Sequence, residues 1–228
     1  MKIKLGLVGK NIAHSKSQEM YEKIYNQKID YTLFDFNNIQ EILPLDSLFS
    51  QVEGVSITAP YKKHFLKDCI VSDEIRELGA INCIRKCDEV FEGTNTDLLA
   101  SREILSRYNS SDNTFVVLGS GSMAKMILKI FKERSIDLIH LYRRRDGPLD
   151  KLDLTQYSKD NKRLFIINAC AREFEFNGQL SQNSIFWDLN YSHSGNFNYL
   201  SERCTYFDGE ELLYLQAIYA TKFWNFKP

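Results

Sequence analysis

Residues 114–124, TFVVLGSGSMA, restrict the fold more than any other stretch of this chain. The run TFVVL is apolar without alternation, as a strand covered on both faces must be, and such strands belong to parallel sheets flanked by helices. It ends on Gly119, and residues 123–134 carry a helical pattern. Strand, glycine turn and helix in that order predict a βαβ unit, hence an α/β protein.

The turn itself fits G-x-G-x-x-A across Gly119, Ser120, Gly121, Ser122, Met123 and Ala124. The first glycine permits a tight turn and the second lets backbone approach a pyrophosphate. The alanine allows the helix to pack on the strand, and the helix N-terminus faces the anion. Gly-Ser turns also occur as plain turns, so the weight comes from the strand and helix on either side. The next predicted strand, 138–142, ends in Arg143, Arg144 and Arg145. An NAD site usually has an acidic residue about twenty positions past the first glycine. Guanidinium forks there match a 2′-phosphate instead, which favours NADP, although a solvated basic turn reads the same in isolation.

With 228 residues, the chain allows one large domain or two small ones. The 29 basic and 30 acidic residues leave a net charge of −1, so nothing global attracts nucleic acid or an anionic membrane. No run approaches the roughly 18 apolar residues of a membrane span, and the first ten residues lack the apolar core of a signal peptide, so a cytoplasmic protein is expected. The five cysteines, at 69, 83, 87, 170 and 204, have no C-x-x-C spacing, and the histidines are scattered. Buried free thiols are expected, and neither disulfides nor a metal site.

The remaining pattern is also α/β. Strands are expected at 3–8, 31–36, 55–58, 164–168 and 185–189, a hairpin at 80–85 and 90–92, and helices at 19–27, 98–107 and 209–224. A helix at 39–49 is broken near Pro44, and Pro60 suits the first turn of another. The polar stretch 109–113 marks a domain boundary.

Three polar groups invite a chemical reading. Ser15 and Gln18 have capping-box spacing, so the AHSKS stretch can simply start a helix. Lys62 and Lys63 follow Pro60, where a helix dipole disfavours cations, so something else keeps a lysine there; out of water and near other cations, a lysine can pass a proton. Asp97 precedes a helical pattern and can be its cap.

Together these blocks resemble the shikimate dehydrogenase family along nearly the whole chain and in the family's order. GLVGKNIAHSKS is similar to its G-x-x-G-x-P-I-x-H-S-x-S-P, and SITAPYK (56–62) to N-V-T-x-P-x-K. GAIN (79–82) is similar to G-A-x-N-T, and GTNTD (93–97) to G-x-N-T-D-G. The glycine turn, Tyr142-Arg143-Arg144 in place of N-R-T, Asn168-Ala169, DLNY (188–191), and Asp208-Gly209 with Gln216 follow. The resemblance implies a substrate-binding and catalytic domain over 1–108, rejoined by the closing helix 209–228, and a Rossmann-like NADP-binding domain over 109–208, with the substrate between them.

It also implies roles. Ser15 and Ser17 would bind the substrate carboxylate, and Tyr191 would lie near that carboxylate and the ring. Thr58, Asn82, Asp97 and Gln216 would bond the hydroxyls, with Lys62 and Asp97 as the catalytic pair. Gly119 to Ala124, Tyr142, Arg143, Arg144, Asn168, Ala169 and Gly209 would hold NADP. The implied activity is NADPH-dependent reduction of 3-dehydroshikimate to shikimate, in aromatic amino-acid biosynthesis, by a monomer or homodimer. A quinate-using relative and a catalytically quiet binding module are the alternatives. Gln18, Ser56, Cys83, Leu98, Ser122, Met123 and Tyr142 depart from the family's residues.

Overall fold

The computed structural model describes residues 2–158, 162–191 and 194–226. The chain divides into two compact units, residues 1–100 with 213–228, and residues 101–212. Among the described residues, no helix is long and apolar enough to cross a membrane.

The first unit begins with β1 (Lys4–Gly9), α1 (Ser17–Tyr25), β2 (Asp30–Asp35), α2 (Leu45–Phe49) and β3 (Gly54–Ile57). It continues with α3 (Asp73–Leu78), the hairpin strands β4 (Cys83–Cys87) and β5 (Val90–Thr94), and the start of α4 (Thr96–Ser106). The sheet order is β2-β1-β3-β4-β5. β1 pairs parallel with β2 and with β3, while β3–β4 and β4–β5 are antiparallel. The carboxyl ends of β1, β3 and β5 and the amino end of β4 therefore lie along one edge of the sheet. That edge carries the loops with Ser15, Thr58, Lys62, Asn82 and Asp97.

In the second unit, β6 (Asn113–Leu118) is followed by α5 (Ser122–Glu133), β7 (Leu138–Leu141) and a single helical turn α6 (Arg143–Asp146). β8 (Arg163–Asn168), β9 (Ile185–Asp188), α7 (Ser194–Leu200) and β10 (Thr205–Phe207) complete it. The sheet is parallel throughout, in the order β10-β9-β8-β6-β7. β6 is flanked by β7 on one side and β8 on the other, so the strand order reverses at its carboxyl end, where open α/β sheets bind ligands. Phe115 packs against Phe131 at 4.6 Å and Phe165 at 5.5 Å between ring centroids, all three fully buried. Each such side chain contributes about 1.5–3 kcal/mol by leaving water.

The last helix, α8 (Glu210–Trp224), ends on the first unit's sheet. Trp224 Nε1 donates to the Ile84 carbonyl at 2.8 Å. A Cβ on Gly54 would stand 2.8 Å from the Trp224 ring, so the missing side chain in β3 makes room for the indole.

Several local expectations are corrected. No helix starts at Pro60: the Lys62 carbonyl accepts from the Ile81 amide at 2.8 Å, so it is not available to a residue one helical turn on. Only a 3₁₀ segment, His64–Lys67, forms nearby. The capping box at Ser15 is not made, because α1 starts at Ser17 with Lys16 in the cap position, and Gln18 reaches forward to Glu22. Asp97 is not a cap, since Asn95 Oδ1 accepts the Leu98 amide at 3.0 Å and places Asp97 inside the first turn of α4. The break expected near Pro44 in the 39–49 segment is present, although the piece before it is a 3₁₀ turn, Ile39–Glu41, and only α2 after it is α-helical. α3, α6, α7 and β10 went unpredicted.

Candidate active site

Asp35, at the end of β2, shapes the loop after β1. Its carboxylate accepts the amides of Asn11 at 2.7 Å and Ile12 at 3.1 Å, and the Ser15 amide donates to the Ile12 carbonyl at 2.9 Å. Ser15 Oγ accepts from the Ser17 amide at 3.2 Å and lies 3.1 Å from Ser17 Oγ. The two hydroxyls thus form one small polar cluster at the start of α1. Thr58 leaves β3 beside the end of β1, its amide on the Val8 carbonyl at 2.9 Å. Gly9 accommodates it, since a Cβ there would meet the Thr58 methyl at 2.6 Å.

Lys62 Nζ stands 2.7 Å from Asp97 Oδ2, with the two side chains 15% and 14% exposed. The setting is therefore an ion pair largely out of water, not the cationic environment that Lys63 and a helix dipole would have made. Sheltered from solvent, such a pair is held more firmly than a surface one.

Asn82 and Gln216 meet through Thr96, which is fully buried. The Thr96 amide donates to Asn82 Oδ1 at 2.7 Å, and Asn82 Nδ2 donates to Thr96 Oγ1 at 3.0 Å. Thr96 Oγ1 donates to Gln216 Oε1 at 3.3 Å, while Gln216 Nε2 donates to the Leu213 carbonyl at 2.8 Å. Each amide keeps one N–H hydrogen outside these bonds. Lys62, Asp97, Asn82 and Gln216, all predicted as site residues, are thus connected through the first turn of α4. Thr96, the hub, and Asp35 were missed as site residues: Thr96 lies in the GTNTD block but was given no role, and both act through partners far away in sequence.

Ser56 stands where the resembled family has asparagine. Its hydroxyl lies 3.0 Å from Tyr21 OH in the core. Burial pushes the Tyr21 phenol well above its ordinary range. Cys83, the other core departure nearby, is likewise pushed up by burial and, to a lesser degree, by the Asp97 carboxylate.

The glycine turn belongs to the second unit. Gly119 has φ +108°, and a Cβ there would stand 2.7 Å from the Ala169 carbonyl oxygen, so this position requires glycine. Gly121 is different: a Cβ would meet nothing within 4 Å. It holds the N-cap position of α5, so the amides of the first turn receive no side-chain acceptor from their own cap. Ala124 is fully buried, letting α5 pack on the sheet. Ser120, Gly121 and Ser122 form an exposed tip, with Met123 half-buried behind it. An exposed tip whose cap offers the helix no side-chain acceptor suits a diphosphate.

At the end of β7, Arg143 and Arg144 are exposed and make no side-chain bond among the described residues, while Tyr142 is half-buried. Asn168 is fully buried, its Nδ2 donating to Asp188 Oδ1 at 3.0 Å and its Oδ1 accepting from the Cys170 amide at 3.1 Å. It shapes the end of β8 from within. Gly209 presses on backbone, where a Cβ would stand 2.3 Å from the Leu189 carbonyl oxygen. Tyr191 follows β9 in the same unit, with the Arg172 guanidinium 5.6 Å from its ring centroid.

The profile of the shikimate dehydrogenase substrate binding domain matches residues 7–84. The shikimate dehydrogenase (NADP(+)) of Clostridium perfringens strain ATCC 13124 is 36% identical over 150 residues, a match covering 61% of this chain and about half, 54%, of that relative. The enzyme of the same name from Clostridium botulinum strain Loch Maree is 26% identical over 247 residues, covering 96% of this chain and 95% of its own. In fold, the chain is similar to a shikimate 5-dehydrogenase of Thermus thermophilus solved with NADP(H) and shikimate, at a TM-score of 0.70 and 19% identity, covering 99% of this chain and 95% of that one. Over residues 7–84 the chain matches the shikimate dehydrogenase substrate binding domain, and along nearly its whole length it is similar to shikimate dehydrogenases.

Proposed function

We propose that this chain catalyses the reversible, NADPH-dependent reduction of 3-dehydroshikimate to shikimate. The observation that carries the reading is the sheltered pair of Lys62 and Asp97, 2.7 Å apart, joined through the first turn of α4 to Asn82 and Gln216. The names of the matched relatives, and the NADP(H) and shikimate in the Thermus structure, support it.

In this reading residues 1–108 with 209–228 hold the acid, and residues 109–208 hold the dinucleotide. Ser15 and Ser17 anchor the carboxylate, and Tyr191 lies near it. The N–H hydrogens left on Asn82 and Gln216, with the Thr58 hydroxyl, bond the ring hydroxyls. Bound NADPH supplies the hydride that adds to the ketone carbon. The Lys62 ammonium donates its proton to the developing alkoxide, and Asp97 holds that ammonium in place and accepts from the neighbouring hydroxyl, supplying the orientation that proton transfer needs. Gly119 to Ala124 receive the pyrophosphate at the start of α5. Arg143 and Arg144, beside Tyr142, face the 2′-phosphate, while Asn168, Ala169 and Gly209 shape the strand ends around the dinucleotide. The enzyme is cytoplasmic and works as a monomer or homodimer, without a nucleic-acid or membrane partner.

The test is NADP reduction in the presence of shikimate, followed by absorbance. The wild type should turn over, Lys62→Ala should lose about 10²–10⁴-fold in kcat, and Asp97→Asn should lose activity in the same range. A wild type that binds shikimate without turnover would be a quiet binding module, and one preferring quinate would be a quinate enzyme. Equal rates with NAD would remove the role given to the arginines.

A further inference from the structure

Between the glycine turn and the arginine turn, side chains are tied to one another. His140 lies on the edge strand β7, and its Nε2 stands 2.7 Å from the Gly119 carbonyl oxygen. A carbonyl only accepts, so Nε2 carries the proton of that bond. The imidazole packs on Tyr142 with 5.0 Å between centroids, and the Arg145 guanidinium sits 4.6 Å from the Tyr142 ring centroid. Arg145 Nε donates to Asp146 Oδ1 at 2.9 Å, and Arg145 also donates to the His140 carbonyl. Asp146 Oδ2 accepts the Tyr142 amide at 2.8 Å. All three successive arginines are exposed, but Arg145 is tied to Asp146 and to the His140 carbonyl, whereas Arg143 and Arg144 make no side-chain bond among the described residues.

We propose that His140, with Tyr142 and Arg145, is a positioning device that fixes the spacing between the glycine turn and the arginine turn. One nucleotide bearing both a diphosphate and a 2′-phosphate is then gripped at both ends at once. The inference rests on the NADP site proposed above and assigns Arg145 a different role from its two neighbours. Two subsites filled by one linked ligand gain affinity because the second contact is intramolecular, and that gain is lost when the spacing is wrong, while each fragment still binds its own subsite. The signature of a spacing device is thus a loss confined to the joined ligand.

Calorimetric titration of NADPH, ADP and 2′-AMP tests this on the full chain, with melting temperatures recorded in parallel. His140→Phe keeps the ring on Tyr142 but removes the N–H, and should raise the NADPH dissociation constant about tenfold, the size of one hydrogen bond. ADP and 2′-AMP should bind as to the wild type, and His140→Gln, which restores an N–H donor, should recover NADPH affinity. Arg145→Met should likewise weaken NADPH and leave 2′-AMP unchanged. The proposal is overturned if His140→Phe binds NADPH like the wild type, if it loses ADP and 2′-AMP as strongly as NADPH, or if Arg145→Met loses 2′-AMP, which would make Arg145 a phosphate ligand. A wild type that ignores NADPH altogether overturns the NADP reading, and this inference with it.

Discussion

Thr96 shows how a residue without chemistry of its own settles the direction of two amides. Its backbone N–H forces Asn82 to turn Oδ1 inward, and the Leu213 carbonyl does the converse to Gln216 by taking one Nε2 hydrogen. Each amide is thus presented in one orientation. Ser15 and Ser17 have a double connection of the same sort, to α1 and, in the proposed function, to a carboxylate. Ser15→Ala and Ser17→Ala should each raise KM for shikimate about tenfold or more, as expected for a lost hydrogen bond to a charged group. The same variants should lower unfolding free energy by about 1 kcal/mol or less, the usual scale for a bond at a helix start. Steady-state kinetics beside urea melts separate the two, and variants that merely melt earlier would leave the serines as a helix start. Lys62, Asp97, Asn82 and Gln216 were legible as types in a familiar order. Ser56 was legible only as a departure, because the Tyr21 hydroxyl that meets it comes from another element 35 positions away.

At the scale of the element, the two glycines of the turn do different work. Gly119→Ala should cost about 1–3 kcal/mol, because it places a Cβ against backbone at a positive φ. Gly121→Ala has open space and an ordinary φ of −71°, so the melt should be little changed while KM for NADPH rises, the methyl standing where, in the proposed function, the diphosphate approaches. Thermal melts and cofactor titration of both variants check the pair. Equal effects on stability would mean that both glycines serve the turn alone. The G-x-G-x-x-A pattern marked the turn, but the division of labour needed the strand end at Ala169. α3 went unread although its signals were present: Ser72 accepts from the Ile75 amide, and Gly79 ends the helix at φ +68°. Six residues are too few for a periodic pattern to stand out. The Pro60 segment erred the other way, because a tertiary bond from Ile81 claimed the carbonyl a helix would have used.

For the whole molecule, α8 is the element whose removal should matter most to the first unit. Trp224→Ala should lower stability by about 3–5 kcal/mol, through the cavity left beside Gly54 and the lost bond to the Ile84 carbonyl, and a urea melt followed by circular dichroism measures it. Stability should also fall on the alkaline side. Burial pushes the thiols of Cys170 and Cys204 up to about 11 and that of Cys69 up to about 12, from an ordinary 9.0. Above about pH 9 the unfolded chain releases these protons while the folded chain keeps them, so the contribution is complete below pH 9 and lost as pH rises toward 11–12. Urea midpoints in reductant at about pH 8 and about pH 10 should show the drop, and Cys170→Ala with Cys204→Ala should shrink it. By itself the sequence determined the α/β class, the strand–glycine turn–helix unit and the residue types available for chemistry, because backbone preference and apolar periodicity act over a few neighbouring residues. Only the tertiary structure decided which of those residues meet. Lys62 reaches Asp97 across 35 positions, and Thr96 reaches Gln216 across 120, because the order of strands in the sheet and the return of α8 set distances that no local rule contains.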